Sequence, residues 1–150
     1  MLDNVVNLHE RTRISVLPVL EADFDEYLDR GMDLIAPAVE RQAHNVSMKD
    51  IAQDIITGGS LMWVVHIGDT LVAAITTCVV KHPRRTNLKI EFIGGSRMNE
   101  WIDEGIKTLA QVAIDAGLDA LEADGRKGFE KISQKVNFKP IYTHYEMELV

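Results

Sequence analysis

Hydrophobic positions along the chain change period several times, and each change marks an element. Residues 13–19 (RISVLPV) predict a first strand, which Pro18 confines to a sheet edge because it has no backbone N–H to give a neighbour. Phe24–Arg41 sets Tyr27, Leu28, Leu34, Ile35 and Val39 at helical spacing, while Gly31 and Pro37 predict a break or kink inside it. Ser47–Thr57 predicts a second helix. Ser47 and Asp50 have the spacing of a capping box, Ile51, Ala52, Ile55 and Ile56 form a stripe, and Gly58–Gly59 end it. Leu61–Ile67 and Thr70–Val80 are strand-like runs around Gly68–Asp69, a two-residue hairpin signal.

The last sixty or so residues switch to a strand–helix rhythm. Leu88–Gly95 (LKIEFIGG) is a short apolar run ending in two glycines. Asn99–Gly117 places Ile102, Ile106, Leu109, Ala110 and Ala113 on one helix face. Ala120–Ala123 predicts a short strand, Lys127–Val136 a helix, and Ile141–Leu149 a closing strand. The hairpin implies antiparallel pairing in the first half, and the long helix allows a right-handed crossover to a parallel neighbour. The fold class is therefore mixed α/β: one domain over residues 1–150, with a mixed central sheet flanked by helices. Between the two parallel strands the sheet can splay and admit a ligand. A strand that enters a helix through glycines brings unpaired N–H groups and a positive dipole end together, which suits an anion.

Composition narrows the function classes. With 150 residues, 46% of them hydrophobic, the chain can bury a sizeable core. No apolar run reaches the roughly 18 residues of a membrane span, and the N-terminus (MLDNVVNLHERTR) lacks a signal peptide's apolar centre. These features predict a cytoplasmic protein that does not engage a membrane. The net charge of −7 argues against nonspecific nucleic-acid binding, and the basic cluster Lys81, His82, Arg84 and Arg85 reads as a loop between strands. The single cysteine, Cys78, reads as a buried thiol. His44, His66 and His82 have no metal-ligand spacing, and no metal is expected. Trp63 and Trp101 read as packing anchors; for Trp101 core packing is the main reading, and a partly exposed edge position on its helix stripe, suited to an oligomer contact, is the other.

Ala113-xxx-Gly117 at the end of the long helix, and Asn137–Phe138 before the last strand, resemble the A-xxx-G and Gly–Phe signatures of GCN5-related N-acetyltransferases. The order of elements matches that fold along nearly the whole chain. The segments GRKGFEKISQKVNFKPIYTHYEMEL and LMWVVHIGDTLVAAITT resemble a subgroup of small acetyltransferase-like proteins encoded by bacteriophages, some labelled internal virion proteins. The resemblance implies an acyl-CoA-dependent N-acetyltransferase in the host cytoplasm. The alternative is a non-catalytic virion or host-interaction protein that acts through self-association or a phage or host partner.

The resemblance also assigns site residues. Acetyl-CoA would lie along Phe92, Ile93, Gly94, Gly95, Ser96 and Arg97. Glu91 would be the general base, with an ion pair to Lys89 as its other reading; strict alternation puts Ile90 and Phe92 on the opposite face from both. Two departures stand out. Glu100 and Ile102 occupy the family's phosphate-loop glycine positions, and Ser133 occupies the position of its acidic tyrosine. Tyr142 or Tyr145 is then the remaining proton donor, unless both simply pack on the sheet. Gly94–Gly95 read either as a bulge where the sheet opens or as an alternative anion nest.

Overall fold

The computed structural model describes residues 12–125 and 129–149, without the side chains of residues 132–134. The N-terminal segment 1–11, the start of the Lys127–Val136 helix and the Ser133 side chain therefore lie outside the described residues. Strand β1 (Ile14–Pro18) is followed by a short 3-10 turn, helix α1 (Phe24–Glu40) and helix α2 (Met48–Thr57). Strands β2 (Leu61–Ile67), β3 (Thr70–Lys81) and β4 (Thr86–Gly95) come next. Helix α3 (Met98–Asp115), strand β5 (Ala120–Ala123) and helix α4 (Glu130–Lys135) complete the order.

The five strands form one sheet in chain order. The first four are antiparallel, and β5 returns parallel to β4 through the α3 crossover. The sheet carries a core on each face. On one face Trp63, Val65, Ile75 and Ile90 pack with Trp101, Ile102, Leu109 and Ala113 of α3. On the other, Met62, Val64, Ala74 and Phe92 pack with Met32, Ile35 and Val39 of α1 and with Ile51 and Ile55 of α2.

The α2 capping and stop signals act as the sequence predicts, whereas of its stripe only Ile51 and Ile55 are buried and Ile56 stays exposed. Ser47 Oγ accepts the Asp50 amide at 3.2 Å, Asp50 Oδ2 accepts the Ser47 amide at 2.9 Å, and Gly58 leaves the helix at φ 87°. Helix α1 differs from expectation, running unbroken through Gly31 and Pro37. Pro37 lies within the last turn, and the fully buried Ile35 and Val39 on either side of it hold the helix to the sheet. Gly31 is a contact surface: a Cβ there would strike the Met62 sulfur and lie 2.9 Å from Met62 Cε. The predicted closing strand is also absent, since residues 141–149 form no strand and leave β5 at the sheet edge among the described residues.

Candidate active site

Strand β4 carries the site because its two edges are paired over different lengths. Towards β5 it is paired only from Asn87 to Ile90, opposite Ala120–Ala123. From Glu91 to Gly95 that edge is free of strand partners among the described residues, and it leads directly into the N-terminus of α3. Towards β3 the ladder continues, but Thr76 faces Phe92 while Thr77 faces Ile90. Glu91 is thus the extra residue of a β-bulge at the point where the two parallel strands part.

This bulge corrects two readings of the sequence. Ile90 and Phe92 do not share a face: Ile90 packs with α3 and Phe92 with α1. One inserted residue moves the following side chain across the sheet, and strict alternation cannot anticipate it. Nor do Gly94–Gly95 make the bulge, because they stay in register opposite Ala74 and Ala73. Gly94 is where α1 crosses β4; a Cβ would strike the Leu34 carbonyl oxygen and lie 2.7 Å from Ile35 Cα. Gly95 adopts φ 131° and ends the strand.

The Glu91 carboxylate accepts a 2.6 Å hydrogen bond from Ser60 Oγ, at the junction of α2 and β2. Cys78 lies beside it, its pKa pushed up to about 11, first by burial and then by the Glu91 charge. Lys89 does not pair with Glu91. It reaches Asp124 just beyond β5 at 2.9 Å, and that hydrogen bond holds its pKa above the ordinary value. Burial pushes Glu122 of β5 upward, but hydrogen bonds from His82 at 2.5 Å and Asn87 at 3.1 Å outweigh it and leave its pKa lowered. The partners Ser60 and Asp124 have no signal in the sequence beyond their polarity, because only pairing of the strands brings them here.

At the other end of the free edge, Ser96 N donates to Val72 O at 2.9 Å, and its carbonyl accepts Trp101 Nε1 at 3.0 Å. Trp101 is buried at 1% exposure, packed in the core. Arg97 caps α3 in the left-handed region, φ 57°. Its guanidinium is engaged twice by Glu100, at 2.6 and 3.0 Å, which lowers the Glu100 pKa. A shallow depression beside this turn, between β1 and α3, is lined by Glu100, Asp103 and Glu104 against Arg13 and Lys107. The open edge and exposed Gly95 fit an extended acyl-CoA chain. The phosphate end fits less well, since the cation at the helix start is already taken by a carboxylate.

The chain superposes on an aminoglycoside acetyltransferase from an uncultured soil metagenomic sample, in complex with sisomicin. The TM-score is 0.67 at 12% identity, covering 91% of this chain and 97% of that one. Ribosomal-protein-alanine N-acetyltransferase from Brucella melitensis gives 0.67 at 12% identity, over 91% and 100% of the two chains. An aminoglycoside N-acetyltransferase in complex with CoA gives 0.66 at 8% identity, over 91% and 95%. The fold is that of the GCN5-related N-acetyltransferases. No protein-family description and no curated protein matches the sequence.

Within this fold, the two candidate proton donors are exposed to solvent. Tyr142 and Tyr145 are 76% and 87% exposed on the segment after α4, so neither ring is packed into the opening between β4 and β5. Among the described residues, no group of three or more His, Cys, Asp or Glu could hold a metal ion, and no helix is long and apolar enough to cross a membrane.

Proposed function

We propose that the protein is an acyl-CoA-dependent N-acyltransferase whose phosphate site is obstructed by its own Arg97–Glu100 ion pair. The observation that carries this reading is the strand-free edge of β4, Glu91–Gly95, opening beside a bulge and ending at a helix N-terminus. Phe92, Ile93, Gly94 and Gly95 would offer backbone groups to the cofactor. Ser96, Arg97 and the first-turn amides of α3 would face its phosphates. Bound acyl-CoA would supply an activated thioester carbonyl. Glu91, oriented by Ser60, would accept the proton that an acceptor amine loses, and the leaving sulfur would take its proton from water, since Tyr142 and Tyr145 lie exposed outside the opening.

The Arg97–Glu100 pair itself supports a second reading, a non-catalytic protein that keeps the fold for binding. The phage-protein resemblance would make it a virion or host-interaction component. Calorimetric titration of acetyl-CoA separates the two. The wild-type chain should bind in the high micromolar range or more weakly. Glu100→Gln frees Arg97, and Glu100→Gly also lets the backbone approach, so each should tighten binding severalfold. A folded Glu100→Gln and Glu100→Gly with no gain in affinity would leave the non-catalytic reading standing.

A further inference from the structure

The ladder between β4 and β5 stops at Ile90 and Ala123, and one rung more would have set Glu91 opposite Asp124. Lys89 spans that missing rung. It stands in register with Cys78 of β3 and Glu122 of β5, yet its ammonium reaches past them to Asp124 Oδ2 at 2.9 Å. An ion pair therefore bridges the two strands where they part, level with Glu91. The Lys89 side chain is 29% exposed and that of Asp124 63%, so water screens the carboxylate more than the ammonium. Cys78 registers the local field at a sulfur atom: the Glu91 charge raises its pKa and the Lys89 charge lowers it.

With phosphates at the α3 N-terminus and an extended chain running back along Gly95–Phe92, the thioester end arrives at this same rung. We propose that Lys89 is a catalytic residue of the transfer, its ammonium stabilising the sulfur as it leaves. This role rests on the acyl-CoA reading of the β4 edge.

The acceptor nitrogen bonds to the acyl carbon, and the C–S bond breaks with its electron pair on sulfur. Glu91 holds the proton that the nitrogen loses, and water supplies the sulfur's. Before the transfer, Glu91 and Lys89 oppose each other at a sulfur placed here, as they do at Cys78. Once Glu91 has taken its proton its charge is gone, and Lys89 acts alone. The field at the rung thus turns in favour of a thiolate at the stage when one forms. Asp124 keeps the ammonium charged through that stage, because its hydrogen bond holds the Lys89 pKa above the ordinary value. Glu122, which faces Lys89 across the strands, is tied to His82 and Asn87.

Two titrations test this, on variants whose circular dichroism matches the wild type. In the unliganded protein, Lys89→Met should slow the reaction of Cys78 with a disulfide reagent at a given pH, and Lys89→Arg should restore the rate. A rate indifferent to Lys89→Met would show that the charge does not reach a sulfur at this rung, and would overturn the proposal. The second titration uses CoA and the Glu91→Gln/Glu100→Gln protein, in which the base is neutral and Arg97 is freed. The ultraviolet difference between liganded and unliganded protein follows the CoA thiolate directly. The bound thiol should titrate at lower pH than free CoA, and adding Lys89→Met should leave about tenfold less thiolate at a given pH. Asp124→Asn, which leaves Lys89 present but unheld, should give a smaller loss and replaces Lys89→Met if that variant does not fold. CoA that binds but titrates identically with and without Lys89 refutes the role of Lys89 alone. CoA that fails to bind refutes the acyl-CoA reading, and the role of Lys89 with it.

Discussion

Gly94→Ala tests whether the glycine pair before α3 serves packing or ligand. The added Cβ would strike the Leu34 carbonyl oxygen and sit 2.7 Å from Ile35 Cα. Carbon atoms in contact ordinarily lie about 3.5–4.0 Å apart, so α1 must withdraw by about 1 Å along its length. The obstacle is helix backbone, which cannot rotate aside as a side chain can. Withdrawal also loosens Ile35 and Val39, both fully buried, and their contact with Phe92. Overpacking of this kind costs about 3 kcal/mol, the upper end of its usual range. For a chain of this length that is a fall in melting temperature of about 6–12 °C.

Gly117→Ala is the control. Gly117 stands at φ 73° with nothing near its missing Cβ, so alanine there meets only backbone strain, about 1 kcal/mol net. Both variants stiffen the unfolded chain equally, and that contribution cancels between them. Thermal and urea unfolding of the two proteins measure the difference. If Gly94→Ala melts no lower than Gly117→Ala, α1 does not rest on Gly94, and the glycine must be kept for another reason.

Two further outcomes check the core and the site. Leu109→Ala, which empties a fully buried position under α3, should cost about 2–5 kcal/mol in denaturant unfolding, and an unchanged midpoint would mean that another face of α3 is buried. Cys78, raised from 9.0 to about 11, should carry roughly 100-fold less thiolate at pH 8 than an ordinary thiol and react with a disulfide reagent correspondingly slowly. Its rate should climb as pH rises towards 11, and Glu91→Gln should shift that climb to lower pH by removing the neighbouring charge. A thiol that reacts at the free-cysteine rate, or is indifferent to Glu91→Gln, would show that the two groups are not adjacent.

Local chemistry is written in the sequence wherever neighbours along the chain supply both partners. The Ser47–Asp50 cap, the Gly68–Asp69 hairpin, the α3 stripe and the four-residue β5 are all of this kind. The Arg97–Glu100 pair is equally local, three residues apart on a first helical turn, and the acid at a glycine position announces it. Tertiary structure alone decides the rest. The bulge at Glu91 arises from how β3 and β4 register, so the face of Phe92 cannot be read from alternation. Gly94 looks like a loop signal until α1 is laid across it, and Pro37 looks like a helix break until burial of Ile35 and Val39 holds the turn. Lys89 has a plausible partner two residues away, yet the β4–β5 pairing gives it Asp124 instead. The segment after α4 has the alternation of a strand, but period two sets only which side chains share a face. A strand exists when a second edge supplies its hydrogen bonds, and that edge lies far away in sequence.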